Sequence, residues 1–67
     1  MAVSISAVAL NAAGALERTH AFGERGPRTF MARQRVATWL DTGRGSLRKV
    51  RADIAWLNEV VKRESQR

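Results

Sequence analysis

The sequence contains no cysteine, a single histidine (His20) and a single proline. Disulfide bonds are therefore excluded, and a zinc site, which takes Cys and His ligands, is not expected. Small domains without such cross-links depend on close helix packing or on self-association. The missing thiols suit a reducing compartment, so we expect a cytoplasmic location, or a virion-associated one if the protein is viral.

The sequence also lacks an apolar run long enough for a membrane span. The most apolar stretch, residues 3–16, is interrupted by Asn11 and Gly14 and is shorter than the roughly 20 residues that cross a bilayer. No basic segment precedes it, as one does in a signal peptide. We therefore interpret this stretch as a packed helix.

Side chains suited to catalysis are sparse. His20 has no cysteine and no acid–base partner near it in the sequence, and no metal-ligand spacing occurs. Asp41 and Asp53 stand alone among basic residues, where salt bridges are the simpler role. We expect no catalytic residue, no metal or cofactor and no small-molecule substrate, which indicates a binding protein and not an enzyme.

Glycine and proline divide the chain into three segments of helical composition. One joint is marked by Gly23, Gly26 and Pro27, and the other by Gly43 and Gly45. Neither a hairpin dipeptide nor the sustained alternation of a strand occurs between them. The 67 residues can form one domain at most. The sequence predicts a single all-α domain over residues 1–67, with helices at about 4–20, 27–42 and 46–65.

The first two predicted helices each have an apolar face. Ser4 or Ser6 should cap the first helix, and its core face contains Ile5, Val8, Ala12 and Ala15. Its small residues Ala9, Ala13 and Gly14 could admit a neighbouring helix, although a helix of modest quality explains them equally well. Pro27 should open the second helix and Gly43 should close it. The core face of the second helix contains Phe30, Ala32, Val36, Ala37, Trp39 and Leu40.

Arg33 lies within the apolar arc of the second helix. A guanidinium in that position has to extend to solvent, pair within the protein, or contact a partner.

The third helix has the most regular pattern. Ser46 is a suitable N-cap, and the apolar seam contains Leu47, Val50, Ile54, Leu57 and Val61. This seam lasts little more than two heptads, whereas a coiled coil needs about three to four. We therefore expect the third helix to pack on the other two, the second and third forming an antiparallel hairpin or a helix-turn-helix-like pair.

Positive charge is concentrated in the middle of the chain. The formal net charge is +6, and residues 25–51 hold eight basic side chains, most of them arginine, against Asp41 alone. Arg48 and Lys49 fall in the first turn of the third helix, between Arg44 and Arg51. A helix N-terminus carries partial positive charge and favours acidic residues there, so each such cation should cost a few tenths of a kcal/mol.

A bound anion would compensate for these cations. Free amides at a helix start, glycine-rich backbone and neighbouring arginines suit phosphate, although the spacing is not that of a P-loop. The alternative is that these are ordinary solvated charges. Predicted nucleic-acid contacts are Arg44, Arg48, Lys49, Arg51, Arg28 and Arg35.

The segment Arg33–Arg51 also resembles the helix-turn-helix motif of DNA-binding regulators. Val36, Ala37, Leu40, Leu47 and Val50 have the spacing of its core positions. Asp41 and Thr42 depart from the motif, where glycine and an apolar residue are usual, and two glycines lengthen the turn. The resemblance implies that the cations of the third helix face the groove and backbone of DNA. A plain antiparallel hairpin explains the same residues.

Trp56 lies away from the apolar seam of the third helix. Its neighbours on that side are Ala52, Val60, Lys49 and Arg63. Trp and Arg dominate the energetics of interfaces, so Trp56, Ala52, Val60 and Arg63 are predicted to contact a protein partner or a second copy. The alternative is a tryptophan covered within the chain.

Two functions follow from these patterns. The first is a nucleic-acid-associated protein, either a DNA-binding regulator or a component close to DNA. The second is a protein-interaction module: a small inhibitor, adaptor or assembly subunit of the kind that viral and plasmid genomes encode.

Overall fold

The computed structural model describes residues 5–20 and 26–66, and all of its regular structure is helical. The helices are α1 (Ile5–Thr19), α2 (Pro27–Thr42) and α3 (Leu47–Ser65). The prediction of a small all-α, three-helix fold is confirmed. The predicted Ser4 cap, the glycine at position 23 and the charge of Arg25 lie outside the described residues.

Local sequence signals set the helix ends at the joint between α2 and α3. Gly43 adopts a left-handed conformation (φ 69°), and its N–H donates to the carbonyl of Trp39 across 2.7 Å. This is the geometry of a glycine that ends a helix. Ser46 Oγ accepts a hydrogen bond from the N–H of Lys49 at 3.3 Å. Gly43 and Ser46 as the cap residues of this joint, and Pro27 as the first residue of α2, are confirmed. Ser6, the other predicted cap of α1, lies inside that helix.

α2 and α3 run in opposite directions. Arg35 of α2 pairs with Asp53 of α3, and Thr29, earlier in α2, contacts Trp56, later in α3. A connection of four residues, 43–46, joins the two helices, so they form the predicted antiparallel hairpin. α1 runs alongside α3 in the same direction, since Val8 faces the same cleft as Arg51 while Arg18 bonds Asn58 further along.

The core lies where the three helices meet. It contains three buried residues from each helix: Val8, Ala12 and Ala15, then Ala32, Val36 and Trp39, then Val50, Ile54 and Leu57. Each fully buried aliphatic side chain contributes about 1.5–3 kcal/mol before conformational entropy is subtracted. The nine buried residues confirm most of the predicted core positions.

Several predicted core positions are wrong. Ile5 is 69% exposed, Leu40 is 36% exposed, and Phe30 and Ala37 are also exposed. α1 and α3 cover a narrower strip of α2 than its composition indicates, and this strip is centred on Val36. The residues at the edge of the apolar arc therefore remain in solvent.

The C-terminal end of the seam on α3 also differs from the prediction. The predicted seam contained Val61 and not Val60, whereas in the structure Val60 is buried and Val61 is half-buried. The small residues of α1 differ among themselves. Ala9 is half-buried and packs against the core, as the expectation of close helix approach requires. Ala13 is exposed, and the atoms nearest to a Cβ added at Gly14 belong to the guanidinium of Arg18.

These burial differences also bear on the resemblance to the helix-turn-helix motif. Of its five core positions only Val36 and Val50 are buried, and Leu47 is half-buried. Ala37 and Leu40 face solvent, so the pattern does not describe the packing of α2 on α3. Trp39 fills the interface in their place.

Three polar residues in the described ranges are buried, namely Thr19, Thr29 and Asp53. Arg33 Nε donates to Thr19 Oγ1 at 3.0 Å, and Arg33 Nη2 donates to the carbonyl of Leu16 at 3.4 Å. Arg33 thus pairs within the protein, at the C-terminal end of α1, where the helix dipole favours a cation. Among the described residues, every buried side-chain polar atom has a hydrogen-bond partner.

Candidate nucleic-acid interface

An open cleft of about 470 Å³ lies between α2 and α3, beside the turn that joins them. Its walls come from the solvent-facing side of α2, from the turn and from the first two turns of α3. The lining residues are Gln34, Arg35, Thr38, Arg44, Gly45, Ser46, Lys49, Val50 and Asp53.

The turn and the cap place the basic side chains around this cleft. Gly45 has a φ of 120°, a conformation that residues with a Cβ rarely adopt. It lets the chain reverse within four residues and sets Arg44 at the mouth of the cleft. The Ser46 cap fixes the start of α3, so that Lys49 points from its first turn toward α2.

Arg35 is held in the cleft wall by a two-pronged ion pair. Its Nε lies 2.8 Å from Asp53 Oδ2, and its Nη2 lies 2.9 Å from Asp53 Oδ1. Asp53 raises the pKa of the Arg35 guanidinium, first through these hydrogen bonds and then through its charge, while desolvation acts in the opposite direction. The side chain of Asp53 is 11% exposed and that of Arg35 is 48% exposed. The carboxylate is therefore covered, whereas about half of the Arg35 side chain remains exposed.

The salt-bridge role expected for Asp53 is thus confirmed. The same expectation is wrong for Asp41, which is exposed and makes no ion pair within the described part of the chain.

Arg44 and Lys49 are exposed, and in residues 5–20 and 26–66 neither has a carboxylate within ion-pairing distance. Together with Arg35 they set three cations around the cleft against the single charge of Asp53. The side chains that line the cleft therefore carry a net positive charge.

Arg48 and Arg51 extend the positive surface around α3. Arg48 precedes the fully buried Leu57 by about two and a half helical turns, so it points directly away from the core. Arg51 lines a second cleft of about 400 Å³ between α1 and α3, beside Asn11 and Asn58. Neither cation has a carboxylate partner in the described ranges. We call Arg44, Arg48, Lys49 and Arg51 the basic end of α3.

Comparison of the chain with protein-family models, with curated proteins and with solved structures finds no match. No described helix combines the length and apolar composition needed to cross a bilayer. No group of three His, Cys, Asp or Glu side chains in the described ranges is placed to hold a metal ion.

Arg28 lies away from the basic end of α3, at the other end of the hairpin. Its guanidinium is 4.0 Å from the centre of the Trp56 ring, and that of Arg63 is 5.5 Å away. Trp56 Nε1 donates to Thr29 Oγ1 at 3.2 Å. The structure thus separates Arg28 from the other predicted phosphate contacts and engages it with the aromatic ring.

The residues predicted to contact a protein partner differ in how far they are exposed. Trp56 is half-buried and packs against the core, and Val60 is buried. Ala52 and Arg63 are exposed. The contacts of Trp56 with Arg28 and Thr29 are those of the intramolecular alternative, and a role in partner binding stays a prediction.

Sequence reasoning missed Gln34 and Thr38, which line the cleft one helical turn apart on α2. Both are polar residues on a solvent-facing stripe, and neither differs in type from other surface residues. Their proximity to the basic end of α3 depends on how the two helices cross, which no local pattern reports.

Proposed function

We propose that this protein binds nucleic acid through phosphate contacts made by the basic end of α3, as a small DNA-binding regulator or a component close to DNA. One observation carries the proposal. Arg44, Arg48, Lys49 and Arg51 are all exposed around a helix start, and within the described residues none has a carboxylate partner.

The energetics of a helix N-terminus support this proposal. No acidic residue occupies the first turn of α3, where the dipole favours negative charge, and two cations lie there instead. Each of these two cations should destabilise the free protein by a few tenths of a kcal/mol. A phosphate at this position would interact favourably with the cations and with the free amides of the first turn. Arginine also matches phosphate geometry through paired N–H donors.

Phosphate contacts predict a binding constant that falls steeply with salt. The logarithm of the constant falls by about 0.9 per logarithm of salt concentration for each phosphate that is neutralised. We would measure binding to a labelled duplex DNA of random sequence, and to a labelled single-stranded RNA, by fluorescence anisotropy at several salt concentrations.

The matched variants are Lys49→Ala and Lys62→Ala. Both lysines are exposed on α3, about 20 Å apart along its axis, and each variant removes one positive charge. Lys49→Ala should weaken binding and lower the salt slope by about 0.9, whereas Lys62→Ala should leave the slope unchanged. Equal effects of the two variants, or no measurable binding to either polymer, would contradict the proposal.

A second candidate function is binding of a protein partner on the α1–α2 face. Phe30 is 45% exposed and Met31 is 46% exposed. Phe30 also lines a shallow groove with Leu16 and Ala37. Apolar side chains that form one contiguous exposed patch are typical of contact surfaces. Sedimentation of the protein and of a Phe30→Ser variant tests whether this face joins two copies: a dimer that the substitution dissociates supports it, and a monomer in both cases removes self-association.

A further inference from the structure

We infer that the cleft between α2 and α3 is a phosphate-binding pocket, in which Asp53 orients Arg35 as a fixed donor and Arg44 and Lys49 approach the anion from the rim. This inference rests on the proposed function for the source of the phosphate, a nucleic-acid backbone. It adds a specific pocket to what is otherwise a diffuse positive surface.

Asp53 holds Arg35 in one orientation. A guanidinium has five N–H donors in a rigid plane. Asp53 accepts from Nε and from Nη2, at 2.8 and 2.9 Å. Asp53 leaves the other three donors of the group unused, and the half-exposed side chain lines the cleft. Because the partner carboxylate is held in the helix interface, Arg35 loses little conformational freedom when it binds an anion.

Two other cations lie at the same cleft as Arg35. Arg44 and Lys49 line the same cleft from the turn and from the first turn of α3. Neither is committed to a carboxylate in the described ranges. One donor group is therefore fixed and two are adjustable, which suits the three free oxygens of a phosphate monoester or the two of a diester.

Asp53 lines the cleft as well, and its negative charge opposes anion binding. Both of its oxygens, however, accept hydrogen bonds from Arg35, and the side chain is largely covered. Its charge is thus largely offset by the guanidinium of Arg35, and Arg44 and Lys49 leave the lining of the cleft with a net positive charge. Asp53 is a positioning residue, since it would act on the phosphate only through Arg35.

The experiment is a titration of the full chain with inorganic phosphate, followed by the backbone amide signals in NMR spectra and by the Nε–H signal of Arg35. The ionic strength is kept constant by exchange against chloride. We expect saturable changes concentrated at Arg35, Gly45, Ser46 and Lys49. Changes that do not saturate, or that occur at all cations alike, would overturn the pocket.

Asp53→Asn separates a positioned donor from a simple positive field. The substitution keeps the shape of the side chain and makes the protein more positive by one charge. A diffuse field would then bind phosphate more tightly, whereas an unlocked Arg35 should bind it about tenfold more weakly, the loss of one charge-assisted contact. Tighter or unchanged binding in a folded Asp53→Asn variant would refute the positioning role.

Arg35→Lys gives a second test that does not depend on that variant folding. It keeps the charge but cannot make the paired contact with a carboxylate or a phosphate. It should weaken phosphate binding by a similar factor, while Lys62→Gln, which removes a charge outside the cleft, should not. If Arg35→Lys binds as tightly as the native protein, Arg35 is not a phosphate ligand.

The two proposals can fail separately. If the native protein binds inorganic phosphate in the cleft but neither nucleic acid, the proposed function is wrong and the pocket remains. If nucleic acid binds with the expected salt slope in native protein, Asp53→Asn and Arg35→Lys alike, the pocket is wrong and the proposed function remains. Trinucleotides with and without a 5′-phosphate identify which phosphate of the nucleic acid is bound. Equal affinities indicate an internal phosphodiester, and tighter binding of the trinucleotide that carries a 5′-phosphate indicates the end of a strand.

Discussion

Trp56 Nε1, on α3, donates a hydrogen bond across 3.2 Å to Oγ1 of Thr29, on α2. Thr29 is fully buried, and the Trp56 ring packs against the core beneath the guanidinium of Arg28. A tryptophan that the sequence places outside the apolar seam therefore has partners for both its ring and its N–H. Trp56 thus links α3 to α2 at the end of the hairpin that lies opposite the turn.

Thr29→Val should destabilise the protein by about 1–3 kcal/mol, because the substitution keeps the shape but leaves the indole N–H without its partner. Unfolding in urea, followed by circular dichroism, measures the change. Thr38→Val, on the exposed face of the same helix, is the control and should change stability by no more than about 0.5 kcal/mol. Equal stabilities of the two variants would show that the hydrogen bond contributes nothing.

Leu57→Ala should leave the protein largely unfolded. Leu57 is completely buried in the centre of the core, and truncation of such a leucine costs about 2–5 kcal/mol. A domain of this size seldom has more than about 3–5 kcal/mol of stability to lose. Leu10→Ala, at a side chain that is 76% exposed, is the comparison and should unfold close to the native midpoint. A folded Leu57→Ala variant with a native-like midpoint would contradict this description of the core.

The helix boundaries could be predicted from the sequence because they depend on a few adjacent residues. Pro27, Gly43 and Ser46 each act on backbone groups within four positions of themselves. The strip of each helix that is buried depends instead on where the other helices lie. Phe30 and Ala37 fall within the apolar arc of α2, but no neighbouring helix covers them.

The candidate site shows the same division. The cations at the start of α3 are visible in the sequence, since they break a local rule about helix dipoles. The pairing of Arg35 with Asp53 joins residues on two helices, and Asp53 is buried although its type favours solvent. Hydropathy assigns such a residue to the surface, because the hydrogen bonds that permit its burial come from another element.

Two glycines should respond to alanine in opposite ways. Gly43→Ala should destabilise the protein by about 1–2 kcal/mol, because Gly43 has a φ of 69° and a Cβ is strained there. Gly14→Ala should stabilise it by up to about 1 kcal/mol, since Gly14 lies inside α1. A Cβ there would come within 2.9 Å of the exposed Arg18 guanidinium, so any weakening of the Arg18 hydrogen bond to Asn58 reduces this gain. Thermal unfolding of the two variants measures both effects. A stabilising Gly43→Ala would show that the left-handed cap is not maintained in solution.

Arg48→Glu should make the fold more stable while it weakens nucleic-acid binding. Residue 48 is in the first turn of α3 and points away from the core, so a carboxylate there would interact favourably with the helix dipole by about 0.3–1 kcal/mol. Lys62→Glu is the matched control, because it makes the same change of charge in the last turn of the same helix. It should destabilise the fold by a similar amount and keep the salt slope of binding. Urea unfolding and anisotropy titrations on the same preparations measure both properties. A gain of stability together with a loss of binding is expected if the cations at the start of α3 serve to bind an anion. If Arg48→Glu gains stability and still binds nucleic acid with the native salt slope, Arg48 is an ordinary solvated charge.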